Sequence, residues 1–405
     1  MIRNIKKTEA ATLGTFKKHR PSEYFSHLGT KRSFLQHDYK VERLYRFGLT
    51  FPPEMFAKKK LIDLGAGTGE HTVSLARWGA RCTLVEMNDD ALRVARKNFR
   101  KHTKNYRDHK FIHSSLYDIN LKKYTRSFDI SHSRGVFTHV ADKRKAFKIL
   151  AALAKPGGYV IFGDRNTCGG VQEMLQRLAI YRLGGQSDEK IVEIAETLFS
   201  EDIDRSQNSV PRTRKAIIFD RWVIQQQDDP SVEEILAFFK DEGLEYVSSW
   251  PKIDYAGRGT STHSNPIISA NLIRGALSIE LLWMILKDGE RENIQAFELH
   301  KPGFFNEVGK VARKLRNLQI KTKINVSKLT EDFSNLIEIE KKSRLESTDL
   351  YNRLATFLLE AGIFLKMIQE KKKLSEIRKK IKEFTILFKG YAGVRHVDFV
   401  AYKPK

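Results

Sequence analysis

At 405 residues the chain is long enough for two domains, or for one large domain with an insert, and it can bury a sizeable core. Hydrophobic residues at 41% and charged residues at 30% describe a soluble globular protein; no run approaches the roughly 18 to 20 uncharged apolar residues of a membrane span, and residues 1–10 lack the apolar stretch of a secretory signal, so the cytoplasm is the expected location. A net charge of +23 would suit a polyanion such as RNA, but the basic residues are mixed with acids, as in EKKKLSEIRKK, without the interleaved aromatics that stack bases, so nucleic acid is not the favoured partner.

Residues 1–58 are basic and aromatic, and SEYFSHLG and YKVERLYRFGLTFPPEMF predict short helices ended by Pro52 and Pro53. From Lys60 to about Asn166 short β-prone runs (KLIDLG, RCTLVEM, KFIHSS, FDISHS, GYVIFGD) alternate with helical ones (GEHTVSLARWG, NDDALRVARKNFRKH, DKRKAFKILAALAKPGG). That alternation predicts an α/β fold, a doubly wound and mostly parallel sheet with helices on both faces. Within it lies Cys82, and just beyond it Cys168; two cysteines without a CxxC or Cys/His spacing make neither a disulfide framework nor a structural zinc site, and no metal is expected.

Helical stretches follow near 170–200, and then a polar segment, EDIDRSQNSVPRTRKA, that reads as a surface loop or lid. In PSVEEILAFFKDEGLEYVSSW, Ser231 caps a helix with Glu234 reaching back, Gly243 stops it, and LEYVSSW is a strand. The chain from about 267 to 390 is helical and Lys-rich, and RHVDFVAYKPK alternates like a strand. The organisation expected is a helical cap over 1–58, an α/β core over 59–255, a basic helical region over 256–390 and a last core strand in 391–405.

The chemistry is concentrated in KKLIDLGAGTGEHTVSLARWGARCTLVEMN. A glycine-rich turn between a strand and a helix lets backbone approach a ligand and places that ligand at the helix N-terminus. Gly65, Gly67 and Gly69 form GxGxG, whereas a dinucleotide fingerprint wants its third glycine at position 70, which is Glu70. An acid there disfavours a pyrophosphate and is tolerated by a ligand carrying an amino-acid group and a positive sulfonium. Glu86 ends the second β-prone run, where a carboxylate can accept both ribose hydroxyls. The stretch therefore asks for a nucleoside without phosphates.

These residues resemble the class I S-adenosylmethionine-dependent methyltransferases, whose first motif is an acid followed by xGxGxG (here DLGAGTG) and whose second is an acid ending the second strand (here LVEMN). The resemblance continues through FIHSSLYDINL, SFDISHSRGVFTHV and LAKPGGYVIFGD, covering roughly residues 58–166. It implies a Rossmann-like sheet whose last strand is antiparallel between strands five and six. The only β-prone run that fits this strand is HVDFVAYKP, which makes the helical region an insert between strands six and seven, beside the sheet edge.

The cofactor implied is S-adenosyl-L-methionine. By resemblance Gly65, Gly67 and Gly69 line its methionine and ribose side, Asp63 orients the loop or the amino group, Glu86 takes the ribose hydroxyls, and Met87 packs on adenine. Ser115, just before Leu116, stands where many family members have an acid for the adenine amino group; Asp118 is a possible substitute. Ser133 and Arg134 follow the fourth strand at the carboxyl edge, and Arg134 has a carboxylate of cofactor or substrate, or Asp164, as partner. His139 resembles the family's histidine at the next helix start and is the candidate base, with Arg134 beside it, while His132 alternates inside the strand like a packed histidine. Arg221 and Trp222 lie where the family builds its substrate cover, Trp222 being better suited to a core.

The turn after strand four, SHSRGVF, lacks the Asn/Asp-Pro-Pro-aromatic motif of N6-adenine enzymes, neither cysteine is placed as a C5-pyrimidine nucleophile, and the glutamate pair of arginine methyltransferases is missing. An O-, N- or C-methyltransferase of a small-molecule or biosynthetic-intermediate acceptor is expected. Two alternatives stand beside it: an RNA or ribonucleoprotein methyltransferase, and a non-catalytic S-adenosylmethionine-binding scaffold. The oligomeric state is not legible.

Overall fold

The structure, a computed structural model, describes residues 2–19, 30–209, 213–223, 228–253, 280, 283–285, 325–343, 349–390 and 396–405. Among the described residues seven strands form one sheet: β1 (Lys60–Leu64), β2 (Arg81–Glu86), β3 (Lys110–His113), β4 (Phe128–Arg134), β5 (Ala154–Arg165), β6 (Glu245–Trp250) and β7 (His396–Tyr402). Their spatial order is β3-β2-β1-β4-β5-β7-β6. The first five are parallel, with Leu61 level with both Cys82 and Ile130. The central strands are buried on both faces, which is why they read as largely apolar runs broken by a few buried polar residues such as Asp63.

β7 is antiparallel to both neighbours, pairing Gly163 with Asp398 on one side and Ser249 with Phe399 on the other. The sequence expectation of an antiparallel last strand drawn from HVDFVAYKP therefore holds. Because β1 to β5 run parallel, their carboxyl ends share one edge, and the site is built there.

The helices in chain order are α1 (Ile2–His19), α2 (Lys31–Arg43), α3 (Glu70–Arg77), α4 (Asp89–His102), α5 (Leu121–Tyr124), α6 (Lys143–Leu153), α7 (Val171–Arg182), α8 (Asp188–Ser209), α9 (Arg214–Ile218), α10 (Val232–Asp241), α11 (Val326–Ser343), α12 (Asp349–Gln369) and α13 (Leu374–Glu383). On one sheet face α2, α3 and α4 bury Phe34, Leu75 and Phe99. On the other, α6, α7, α8 and α10 bury Phe147, Leu175, Ile194 and Phe239. Ser231 caps α10 by accepting from Glu234 N at 3.1 Å, and Gly243, at φ +63°, ends the turn after it. The Glu234 carboxylate pairs with Lys143 at 3.2 Å, tying α10 to α6.

Helices α12 and α13 pack on α7 and α8, the helices that follow β5, and share their apolar core: Phe364 and Phe388 both meet Phe199 of α8 edge-on. Glu360 of α12 accepts from the backbone N of Thr385, Ile386 and Leu387 at 2.6 to 3.0 Å, so the segment after α13 is held to α12 by a buried carboxylate.

Two sequence readings are corrected. The stretch before Pro52 is one long helix, α2, tightened into a π turn over Leu44–Gly48, and Pro53 opens a 3-10 turn instead of ending a helix; SEYFSHLG lies outside the described residues. Residues 2–19, within the helical cap expected over 1–58, form α1. The polar segment from Glu201 is no loop through Ser209: it is the second half of α8, kinked at Phe199, with Ile203 buried and Arg205 donating to Phe388 O at 2.8 Å.

Candidate active site

The turn after β1 carries Gly65, Gly67 and Gly69 at φ of +73°, +54° and +71°, the left-handed region that favours glycine. Their surroundings differ. A Cβ on Gly65 would collide with Val136, and one on Gly69 would press on Ala95 and Leu84 at 3.1 Å, whereas one on Gly67 would meet nothing within 4 Å. Gly67 thus leaves open space above the turn. The loop is pinned by Gly65 N and Ala66 N donating to Val85 O at 2.8 and 3.1 Å, and by Asn98 Nδ2 donating to Thr68 O at 2.9 Å.

Glu86 ends β2 with its carboxylate buried beside this turn. Its Oε2 accepts from Gly67 N and its Oε1 from Asn88 N, both at 2.8 Å. Burial pushes its pKa up while these backbone bonds oppose the shift. Two backbone donors leave lone pairs on both oxygens, so the carboxylate remains able to accept a pair of hydroxyls. Met87, half-buried, follows it, its carbonyl held by the His113 ring at 3.0 Å.

After β3, Ser115 caps the turn by accepting from Tyr117 N at 3.0 Å and donates its own proton to Glu9 of α1, while Leu116 packs into the core. Asp118 pairs with Lys6 of α1 at the surface. Both contacts bring α1 over the carboxyl edge of the sheet. The helix is fixed there by Lys17 on Asp89 at 2.7 Å and by Phe16 packed edge-on against His139, ring centroids 5.6 Å apart. His139, half-buried in the turn after β4, is therefore at the same mouth.

Two expectations fail at β4. Ser133 does not face a ligand: it is fully buried, and its Oγ donates to Leu64 O at 2.9 Å, joining β4 to β1 inside the sheet. Arg134 pairs with Asp398 of β7, Nε to Oδ1 at 2.8 Å, and not with Asp164. Asp164 is instead used up by backbone, accepting from Phe137, Thr138 and Arg165 N, the last two at 3.1 and 2.7 Å. Arg221 is buried and paired with Asp202 at 3.2 Å, and Trp222 is buried with its carbonyl accepting from Tyr181 OH, so this pair belongs to the core.

A buried polar chain runs beneath the glycine turn, and most of it escaped sequence reading. Asp63 accepts from Thr72 Oγ1 of α3 and from His132 Nδ1 at 2.8 Å. A carboxylate only accepts, so the His132 proton lies on Nδ1 and, in the neutral ring, Nε2 accepts from Tyr45 OH at 3.0 Å. The Tyr45 oxygen then accepts from His71 Nε2, also at 3.0 Å, leaving Nδ1 of His71 as the lone-pair end. Burial lowers the His71 pKa well below the ordinary value, with Arg134 and His132 adding to it, and raises that of Tyr45, so both are neutral near pH 7. Through Thr72 the Asp63 carboxylate also ties β1 to α3.

Residues 56–227 match a family model described as a methyltransferase domain. This segment resembles the class I S-adenosylmethionine-dependent methyltransferase domains. Over 109 residues the chain is 33% identical to a ubiquinone biosynthesis O-methyltransferase of Coxiella burnetii, spanning 27% of this chain and 44% of that protein. It is 32% identical over 108 residues to the protein of the same description from Photorhabdus laumondii, spanning 27% and 43%. The chain thus spans less than half the length of these curated relatives. Among solved structures, a possible histamine N-methyltransferase from Thermotoga maritima aligns over 59% of this chain and 83% of its own at 16% identity, with a TM-score of 0.34.

Proposed function

We propose that this domain binds S-adenosylmethionine across the carboxyl edge of β1, β2 and β3 and transfers its methyl group to an O, N or C atom of a small-molecule or biosynthetic-intermediate acceptor. The observation that carries the reading is the pairing of the Glu86 carboxylate with Gly67 N at 2.8 Å, next to open space over Gly67. A nucleoside whose ribose hydroxyls donate to Glu86 lies directly over the turn. Glu70 replaces the glycine that a pyrophosphate would require there.

When bound, the cofactor supplies a methyl group on a positive sulfonium, open to in-line attack. The work left to the protein is alignment of donor and acceptor and exclusion of water. Gly65, Gly67 and Gly69 hold the methionine side, Met87 and Leu116 flank the adenine, and His139 takes a proton from an acceptor that must lose one. Similarity to relatives described as O-methyltransferases favours a hydroxyl acceptor among the three. Calorimetric titration with S-adenosylmethionine and with NAD tests the reading. Binding of the first and not the second is expected, and the reverse order abandons it. Incubation with a metabolite pool and mass spectrometry of methylated products then identifies the acceptor.

A further inference from the structure

Between the cofactor turn and the N-terminal helix lies a contact that the known motifs leave unexplained. Resting on the cofactor reading above, we infer that α1 reads the base of the nucleoside, with Glu9 accepting from the adenine 6-amino group and Thr12 donating to ring N1.

The argument starts from direction. The ribose position at Glu86 and the strand order β3-β2-β1 send the base from β2 toward β3, where Ser115 and Leu116 begin the next turn. A buried amino group needs an acceptor, and Ser115, whose hydroxyl donates to Glu9, supplies no carboxylate. Asp118 is a poor one, because its side chain is 54% exposed at the surface.

Glu9 meets the requirement, with a side chain only 16% exposed, Oε1 accepting from Ser115 and Oε2 3.5 Å from Lys6 Nζ, lone pairs remaining on both oxygens. Thr12 stands three residues along α1, on the same helical face. It is 4% exposed, and its hydroxyl has no partner among the described residues. A buried, unpartnered donor one turn from a half-buried acceptor matches the acceptor at N1 and the donor at the 6-position of adenine. Ile5, also 4% exposed, anchors the same face, and the ion pair of Lys17 with Asp89 fixes the far end of the helix.

Hypoxanthine inverts both positions, so the discriminating probes are S-adenosylhomocysteine and S-inosylhomocysteine, titrated calorimetrically into the full chain. The wild type is expected to prefer the adenosyl compound at least tenfold. Glu9→Ala and Thr12→Val should each lower adenosyl affinity several-fold while leaving inosyl affinity level or improved, and Glu9→Gln, which keeps a carbonyl acceptor, should restore part of the preference. Thermal melts identify any variant that fails to fold. Equal loss of both ligands in folded Glu9→Ala, or an unchanged ratio, overturns the assignment of Glu9 while leaving the cofactor reading intact. A wild type that binds neither compound overturns the cofactor reading and this one with it.

Discussion

Two carboxylates at the glycine turn illustrate opposite fates of a buried acid. Glu86 is supplied with backbone donors, and its replacement should be felt chiefly by the cofactor: Glu86→Ala is expected to weaken S-adenosylmethionine binding by about 2 kcal/mol or more in calorimetry, the loss of charge-assisted hydrogen bonds from a buried site. Glu70, one residue past the turn, is 4% exposed, and neither of its oxygens has a well-formed hydrogen bond among the described residues. Burial pushes its pKa up to about 9, with Thr68 alone opposing. A folded-state pKa above the unfolded value means that the neutral form is favoured by folding. The stability it confers is complete below the ordinary value of 4.5 and is lost as pH rises toward 9. Glu70→Gln should therefore be more stable than wild type by on the order of 2 kcal/mol at pH 8, a margin that shrinks toward pH 5 in denaturant titrations.

At the scale of the elements, the junction of β4, β5 and β7 depends on a missing side chain. Arg134 and Asp398 both sit level with Gly163, on opposite sides of β5, and their ion pair passes directly over it. A Cβ at Gly163 would collide with the Asp398 carboxylate and press on Arg134 Cγ at 3.0 Å, so Gly163→Ala is expected to lose about 1 to 3 kcal/mol by overpacking. Burial alone would raise the Asp398 pKa, but the charges of Arg134 and His396 outweigh it and hold the carboxyl well below the usual range. Such a group stabilises the fold above the unfolded pKa near 4 and loses that contribution as pH falls below it. Asp398→Asn should cost about 3 kcal/mol at pH 7, toward the low end for a broken buried pair because Arg134 is 32% exposed, and the gap to wild type should close in acid.

The same elements mark what the sequence makes legible. Strands buried on both faces announce themselves as apolar runs, and the glycine turn and Glu86 are local signals. The second half of α8 does not read as helix because the side chains that dominate its composition, Asp202, Arg205 and their neighbours, are polar and find partners on other elements. The chain from Asp63 to His71 through His132 and Tyr45 joins residues from three separate segments, with 87 positions between Tyr45 and His132, and no spacing rule reports such a meeting.

For the molecule as a whole, a charge of +23 spread over helices that also carry acids should give only weak, sequence-indifferent RNA binding that falls steeply with salt in filter-binding titrations. Tight binding of one RNA in high salt would instead favour an RNA acceptor. Position of β7 between β5 and β6 carries a consequence for biosynthesis. Residues 251–395 lie between β6 and β7 in the chain, so β5 and β6 leave the ribosome with open edges and wait for their common neighbour. At about 5 to 20 residues per second that wait lasts roughly 10 to 30 s. Nascent chains stalled with Gly390 at the tunnel exit should thus remain protease-sensitive and chaperone-bound, and should become resistant once Tyr402 has emerged.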